Sequence, residues 1–199
     1  MIILLNGATS AGKSSIVKEL QLVFDDLFLG MNVDKFLSMV PSKYQGFGAK
    51  AEQMWSWEKS SNDNGELVKL NMGPRGNSYV LGIYECVKIM AERNFNIIVD
   101  DVCLDEKLMN QIAVNLNQFK IYFVGVMCNL GVLEQRERSR GNRVIGSARG
   151  QHDVVHSFYE YDVTVDTSQT SARDCALQIK EFVEKNPKPQ VFKVLAAKK

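Results

Sequence analysis

The chain has 199 residues, enough for one domain with a full hydrophobic core, and a formal net charge of +1. That charge gives no global electrostatic reason to expect a nucleic-acid partner or an anionic membrane. No apolar run approaches the roughly 20 residues of a membrane span, and the apolar start MIILL is too short for the core of a signal peptide. The four cysteines lie far apart, as in proteins of a reducing compartment. We therefore expect a cytoplasmic protein with no nucleic-acid or membrane partner.

Five short, apolar, β-branched segments are predicted as buried strands, and helical patterns lie between them. The strands are predicted at residues 2–5, 29–33, 96–99, 120–127 and 162–165, of which 29–33 has the weakest pattern. The helical patterns run from 13 to about 24 and along 80–91, 108–116 and 172–183. Strands that alternate with helices form βαβ units. The sequence therefore predicts a three-layer α/β fold, a parallel five-stranded sheet flanked by helices.

Residues 42–73 interrupt this alternation, being polar, glycine-bearing and rich in aromatic side chains. The run NDNG at 62–65 is a turn signal. The aromatic side chains either pack in a core or line a pocket for an aromatic substrate, and the sequence does not choose between the two. The aromatic residues are Tyr44, Phe47, Trp55 and Trp57.

The strongest motif follows the first predicted strand, where Gly7, four residues and Gly12-Lys13-Ser14 give the spacing G-x-x-x-x-G-K-S. The glycines let backbone N–H groups surround phosphate oxygens, and the helix that begins near Lys13 adds its positive end. Lys13 can reach the β- and γ-phosphates, and the Ser14 hydroxyl can hold magnesium. A chance match in a glycine-bearing turn is the alternative, but a strand precedes the motif and an amphipathic helix follows it. The residues expected to bind a nucleotide are Gly7, Ala8, Thr9, Ser10, Ala11, Gly12, Lys13, Ser14 and Ser15.

Carboxylates follow two of the predicted strands. Asp100 and Asp101 end the run IIVDD, where a carboxylate pair suits magnesium held through water; strand-end solvation or a helix cap is the alternative. Asp34 ends the second predicted strand, and ligands bind beyond the carboxyl ends of strands in such sheets. Asp34 either accepts a proton from an attacking hydroxyl or caps a helix that starts near Lys35. The spacing alone does not separate these two roles.

The arginine-rich segment LEQRERSRGNRVIGSARG predicts a lid, since arginine stabilises the charge that spreads over a transferring phosphoryl group. Its glycines would permit closure. Arg140 and Arg143, which flank a Gly-Asn pair, are the lid candidates. Arg136 and Arg138 are expected on a solvated helix face.

His152 and His156 have the spacing of a zinc-binding helix. However, Asp153 stands where that motif carries a glutamate as general base, and no third ligand is evident. Zinc hydrolysis is therefore the weaker interpretation of this segment.

The chain resembles the chloramphenicol phosphotransferase-like family of P-loop kinases. The similarity follows ILLNGATSAGKSSIV, MNVDKF, NIIVDDVCL and VGVMC, and then the run from RERSRGNRVIG to VVHSFYEYDVTVDT. Order and spacing hold over nearly the whole chain. The loop motif is shared by many NTPases, whereas the Arg-Gly-Asn-Arg segment and VVHSFYEYDVTVDT are far more specific. Residues 42–73 show little similarity beyond Gly73-Pro74.

The resemblance implies one P-loop kinase domain over residues 1–186 and a tail over 187–199, whose apolar residues could dock on the body. Within the domain, 42–73 would be an acceptor-site insert and 134–150 an arginine-bearing lid. The implied reaction moves the γ-phosphate of ATP, with Mg²⁺, to a hydroxyl of a small molecule. The family's acceptor is chloramphenicol, which suggests a role in antibiotic resistance. A related protein can inherit the fold and the reaction without inheriting the acceptor.

The resemblance also implies residue roles. Asp34 matches the family's Val-Asp motif and becomes the catalytic base. Arg140 and Arg143 become charge-stabilising lid residues, and the turn after YDVTVDT borders the adenine. The expected catalytic residues are therefore Asp34, Lys13, Arg140 and Arg143, and the expected magnesium residues are Ser14, Asp100 and Asp101.

Other functions are compatible with the phosphate loop. A nucleoside or nucleotide kinase performs the same chemistry on another acceptor. A regulatory GTPase or nucleotide-gated module is disfavoured, because the sequence has no N-K-x-D guanine motif and no D-x-x-G switch. A kinase-fold toxin that acts on a cell-wall sugar nucleotide is a weaker option. The sequence leaves the acceptor and the oligomeric state open.

Overall fold

The computed structural model describes residues 1–62, 65–141 and 143–198. The strands are β1 (Ile2–Asn6), β2 (Phe28–Asn32), β3 (Gln45–Gly46), β4 (Trp55–Asn62), β5 (Gly65–Met72), β6 (Asn96–Asp101), β7 (Ile121–Met127) and β8 (Val163–Asp166). The helices are α1 (Lys13–Val23), α2 (Val33–Leu37), α3 (Pro74–Glu92), α4 (Glu106–Leu116), α5 (Leu130–Arg140), α6 (Ser147–His152), α7 (Ala172–Lys185) and α8 (Val191–Ala197).

A parallel sheet in the order β2-β6-β1-β7-β8 forms the centre of the molecule, which confirms the predicted fold class and the five predicted strands. Leu5 of β1 lies opposite Asp100 of β6 on one side and opposite Val124 of β7 on the other. β1 is buried throughout and β7 nearly so, which explains why these strands do not alternate apolar with polar residues. Because the strand order reverses beside β1, a ligand is expected at the carboxyl ends of β1 and β6.

Helices cover both faces of this sheet. On one face, α3 and α4 pack through the buried side chains of Val87 and Ile112. On the other face, α1 and α7 pack through Ile16 and Ile179, which are 0% exposed. Each buried side chain of this size stabilises the fold by roughly 1.5–3 kcal/mol relative to an exposed one. The loops at the carboxyl edge are thus carried by a rigid three-layer body.

Asp34 lies in the first turn of α2 and not at the end of a strand, because the chain enters this helix directly after Asn32. The side chain of Asn32 accepts a hydrogen bond from the N–H of Lys35 at 3.2 Å and caps the helix. The prediction that Asp34 ends the second strand is therefore wrong, and so is the alternative that it caps the following helix.

Residues 45–46, 55–62 and 65–72 form a second, three-stranded sheet that the sequence did not predict. β4 and β5 are an antiparallel hairpin in which Trp55 lies opposite Met72 and Trp57 opposite Leu70. Opposed residues share a face, so these four side chains form one apolar block. Part of the turn signal NDNG, residues 63–64, lies outside the described residues.

Residues 187–199, predicted as a tail, contain α8, which packs on the body. Phe192 and Leu195 are buried against the core, whereas Val194 is exposed. α7 ends at Lys185, directly before Asn186-Pro187, because proline does not continue a helix. Within the described part of the chain, no helix is both long and apolar enough to cross a membrane.

Candidate active site

The phosphate-binding loop runs from the end of β1 into α1 at the carboxyl edge of the sheet. Gly12 has φ +88, a left-handed conformation that glycine adopts without strain. A Cβ at Gly7 would lie 2.6 Å from the carbonyl oxygen of Val126, so glycine alone lets the loop pass β7. The first turn of α1 leaves backbone N–H groups without partners inside the helix, at its positive end. The loop therefore forms an anion-binding concavity.

Two buried side chains in the loop fit a phosphate. Lys13 is 6% exposed, and its Nζ donates to the carbonyl oxygens of Gly7 at 2.8 Å and Ala8 at 3.0 Å. Ser10 is 5% exposed and lines the cavity, and its Oγ has no hydrogen-bond partner. A buried polar atom without a partner is costly, and a phosphate oxygen would satisfy it.

Ser14 and Asp100 meet beside this loop, with 2.6 Å between Ser14 Oγ and Asp100 Oδ2. Asp100 Oδ1 lies 3.7 Å from the ammonium group of Lys13. One hydroxyl and one carboxylate fit Mg²⁺, which keeps several water ligands and takes others from substrate phosphates. Across the described ranges, no three His, Cys, Asp or Glu side chains cluster as a metal site made by the protein alone.

Asp101 does not join this pair, because consecutive side chains of a strand point to opposite faces. Its Oδ2 accepts a hydrogen bond from Tyr84 Oη at 2.7 Å, and its Oδ1 accepts one from the N–H of Val102 at 2.7 Å. Burial raises the pKa of Asp101, although the hydrogen bond from Tyr84 acts in the opposite direction. Of the three expected magnesium residues, Ser14 and Asp100 lie together, whereas the Asp101 side chain lies on the other face of β6 and is bonded to Tyr84.

The other expected catalytic residues meet across the cavity. Arg143 Nη1 lies 3.0 Å from Asp34 Oδ2. Arg140 is exposed and lines the same cavity as Arg143 and Lys13. Asn142, between the two lid arginines, lies outside the described residues. The structure thus brings Asp34, Arg143, Arg140 and the phosphate loop to one cavity.

The segment that carries Arg143 is held at residues 146–148 by hydrogen bonds to a buried carboxylate. Glu137 of α5 is 1% exposed and accepts hydrogen bonds from Gly146 N at 2.8 Å, Ser147 Oγ at 2.7 Å and Ala148 N at 2.8 Å. The carbonyl oxygen of Gly146 accepts a hydrogen bond from Val68 N of the hairpin at 3.0 Å. The lid and the hairpin are therefore joined.

Three side chains that support the phosphate loop were missed by sequence reasoning: those of Arg136, Thr167 and Gln151. Arg136, expected on a solvated face, donates to Thr167 O at 2.7 Å and to Thr167 Oγ1 at 3.1 Å. That hydroxyl in turn donates to Ala11 O of the phosphate loop at 2.8 Å. Gln151 is 4% exposed, and its Oε1 accepts from Thr9 N at 2.7 Å. The signal that could have revealed these contacts was the position of Thr167, directly after β8 and beside the loop.

The two histidines do not share a helix, because α6 ends at His152. His156 Nδ1 lies 2.7 Å from Tyr161 Oη, and Tyr161 Oη also accepts from Asn6 Nδ2 at 2.8 Å. Burial lowers the pKa of His156, which favours the neutral imidazole. His156 therefore belongs to a hydrogen-bonded group with Tyr161 and with Asn6, the last residue of β1.

The cavity has a volume of about 780 Å³ and two unlike halves. The phosphate loop, Asp100 and the lid arginines line one half. Trp55 and Trp57 line the other half, so these two aromatic side chains form part of a pocket wall. Phe47 does not line the cavity; it is exposed, with the Lys59 ammonium 5.3 Å from its ring centre. The apolar half is formed by Val33, Leu37, Trp55, Trp57, Leu70, Met72, Val80, Leu108, Met109 and Ile112.

A family model for chloramphenicol phosphotransferase-like proteins matches residues 1–184. The chain belongs to this family. It is 25% identical over 192 residues to a Mycobacterium tuberculosis protein that bears the provisional name O-phosphotransferase, and the match covers 96% of this chain and 85% of that protein. Family membership supports a phosphotransferase.

Solved structures of low sequence identity share the fold. The tunicamycin resistance protein of Deinococcus radiodurans has a TM-score of 0.62 at 13% identity, covering 92% of this chain and 94% of that one. The APS kinase of M. tuberculosis, solved with AMPPNP and APS, has a TM-score of 0.61 at 11% identity, with coverage of 92% and 96%. The shikimate kinase of Acinetobacter baumannii, solved with shikimate, has a TM-score of 0.55 at 15% identity, covering 93% of each chain. The fold is that of P-loop kinases.

Proposed function

We propose that this protein transfers the γ-phosphate of ATP to a hydroxyl group of a small, uncharged molecule with an apolar body. The observation that carries the proposal is the Arg143–Asp34 pair, which lies at a cavity with a phosphate loop on one side and an apolar wall on the other. A general base must lie near both the acceptor and the phosphoryl group. The place of Asp34 on the wall of the cavity that Lys13 also lines supports this role.

The nucleotide half supports ATP with magnesium. Lys13 and the loop N–H groups suit the β- and γ-phosphates, and the unpartnered hydroxyl of Ser10 gains an acceptor there. The Ser14 hydroxyl and Asp100 would hold magnesium, which would neutralise charge on the phosphates. Thr167 is bonded to the loop and to Arg136, and it directly precedes the turn that is expected to border the adenine.

Transfer would occur in one in-line step. The acceptor oxygen forms a bond to the γ-phosphorus while the bond to the bridging oxygen breaks, and ADP leaves with that electron pair. Asp34 orients the acceptor hydroxyl and takes its proton. Arg143 and Arg140 stabilise the charge that spreads over the transferring group and exclude water. Arg143 would exchange its contact with Asp34 for one with the phosphoryl oxygens.

The composition of the acceptor half favours an uncharged acceptor. Among the described residues that line the cavity, the cations are Lys13, Arg140 and Arg143, which all belong to the phosphate loop or the lid. An acceptor phosphate or carboxylate would need a cation on the acceptor side, and α2, the hairpin, α3 and α4 supply none there. This argues against nucleoside monophosphates. The name of the M. tuberculosis relative, O-phosphotransferase, is consistent with an alcohol acceptor.

Nucleosides remain a second candidate class because of Asn77. Its Oδ1 is buried, has no partner and belongs to a side chain that lines the cavity. A ligand with an N–H or O–H donor would satisfy this oxygen. Nucleosides offer such donors, and so do aromatic alcohols of the chloramphenicol type. Of the two classes, only aromatic alcohols of the chloramphenicol type would support the resistance role that the family suggests.

The test is an acceptor screen that follows ADP release with magnesium-ATP. Its panel contains chloramphenicol and other uncharged aromatic alcohols, nucleosides, nucleoside monophosphates and shikimate. We expect turnover with an uncharged alcohol and none with the anionic compounds. Preferred turnover of a nucleoside monophosphate would overturn the proposed acceptor class. Asp34→Asn serves as the control for ADP release by a contaminating ATPase.

A further inference from the structure

Asn32 lies between the metal-binding pair and the helix that carries Asp34. It is the last residue of β2 and the N-cap of α2. Its Nδ2 donates to Asp100 Oδ2 at 2.8 Å and has a longer contact of 3.5 Å with Ser14 Oγ. Its Oδ1 accepts from the N–H of Lys35 at 3.2 Å. Both ends of one amide are therefore engaged.

The partners fix the orientation of this amide. The N–H of Lys35 can only donate, so the carbonyl oxygen of Asn32 must face it. Asp100 as a carboxylate can only accept, so the NH₂ group must face that side. Exchanging the two ends would place a donor against a donor and an acceptor against an acceptor. The side chain therefore has one arrangement that satisfies both neighbours.

A helix cap alone does not require asparagine. Serine, threonine and aspartate also present a side-chain oxygen to the first turn of a helix. Asparagine differs from them because it adds two N–H donors on the same planar group. In this chain those donors point at the carboxylate that is expected to hold magnesium. The choice of asparagine thus fits a second task at this position.

We propose that Asn32 is a positioning residue that fixes the Asp100 carboxylate toward Ser14 for magnesium and ties this pair to the helix that bears Asp34. This rests on the proposed function, since it assumes that the loop binds magnesium with ATP. The amide holds Asp100 Oδ2 without adding charge that would compete with the metal. Removing such an outer partner of a metal ligand typically costs about 10–100-fold in metal affinity or activity.

The test compares two variants that separate the two ends of the amide. Asn32→Ser keeps an oxygen that can cap α2 but loses the donor to Asp100, whereas Asn32→Ala loses both. Asn96→Ala is the matched control, because Asn96 stands at the opposite end of β6 from the cavity, where its Oδ1 accepts a hydrogen bond from the Met1 amino group at 3.2 Å. The measurement is calorimetric binding of ADP with magnesium and with EDTA, which gives the factor by which the metal tightens nucleotide binding.

We expect both Asn32 variants to lose about tenfold or more of that factor, while ADP binding in EDTA and the factor for Asn96→Ala stay unchanged. In turnover, Asn32→Ala should lower kcat more than Asn32→Ser, because it also loosens the helix that bears Asp34. A Ser variant with the wild-type metal factor would overturn the proposal and leave Asn32 as a helix cap. If wild-type protein does not bind ADP in either condition, the proposed function fails instead.

Discussion

Arg143 and Asp34 lie 109 residues apart in the sequence and form an ion pair, with 3.0 Å between Arg143 Nη1 and Asp34 Oδ2. The two side chains are 34% and 51% exposed. Ion pairs with this exposure contribute only about 0–1 kcal/mol to stability. The pair therefore does little for the fold. In the proposed function, its importance lies in placing a carboxylate and an arginine on the wall of one cavity.

Replacing Asp34 should separate catalysis from stability. Asp34→Asn keeps the shape of the side chain but removes the charge that accepts a proton, so kcat should fall by roughly 100-fold or more. ATP binding and the melting temperature should stay close to wild type, because the ion pair is half exposed. Steady-state kinetics and calorimetric ATP binding measure the two effects. Near-normal turnover would remove Asp34 from the role of base.

Arg136 should act on the nucleotide, unlike its neighbour on the same helix. Arg136→Ala removes the donors to Thr167, whose hydroxyl holds the carbonyl oxygen of Ala11. We expect the KM for ATP to rise by about tenfold, a loss of roughly 1.4 kcal/mol in binding, with a smaller change in kcat. Arg138→Ala is the control, since that side chain is 62% exposed. Equal effects of the two substitutions would contradict the assignment of Arg136 to the nucleotide side.

Trp57 should determine acceptor affinity. Trp57→Ala removes one side of the apolar wall, so the KM for the acceptor should rise about tenfold or more, a loss of at least roughly 1.4 kcal/mol. ATP binding should not change. Lys69→Ala is the matched control, because Lys69 lies on the opposite face of the hairpin and is exposed. If the acceptor KM is unchanged in Trp57→Ala, the acceptor does not bind against this wall.

The central sheet could be predicted from the sequence because its strands are apolar on both faces, as in β1 and β7. The hairpin could not, since Glu58, Lys59 and Ser60 are exposed and give β4 no clear pattern. Asp34 was linked to the lid only through a family resemblance; its contact with Arg143 depends on tertiary packing. Arg136 was misjudged for the same reason, because a solvated arginine and one bound to Thr167 look alike in a helical repeat.

Asp101 should make stability depend on pH. Burial raises the pKa of this carboxyl in the folded protein above its value in the unfolded chain. Its ionised form therefore destabilises the fold at pH above the folded pKa, and this cost disappears as the pH falls toward the unfolded value. Asp101→Asn removes that dependence. The difference in melting temperature, variant minus wild type, should be larger at pH 7.5 than at pH 4.

The reverse trend in that difference would mean that Asp101 is stabilised as an anion, as a metal ligand or ion-pair partner would be. Asp166 gives a useful contrast, because hydrogen bonds from Ser168 lower the pKa of its carboxyl. For a lowered pKa the sign is opposite: stability is present above the unfolded value and is lost as the pH falls through the folded one. Asp166→Asn should therefore lower the melting temperature at both pH values, and this loss should shrink only as the pH falls below 3.8, the ordinary pKa of this carboxyl.

The most direct measurement of the central claim is the stoichiometry of ADP and phosphorylated acceptor formed from magnesium-ATP. With an uncharged alcohol that the screen identifies, we predict one phosphorylated product for each ADP, little ADP without acceptor, and loss of both in Asp34→Asn. Mass spectrometry locates the phosphoryl group on a hydroxyl oxygen. ADP release that does not depend on an acceptor, or that persists in Asp34→Asn, would contradict the account of a small-molecule kinase.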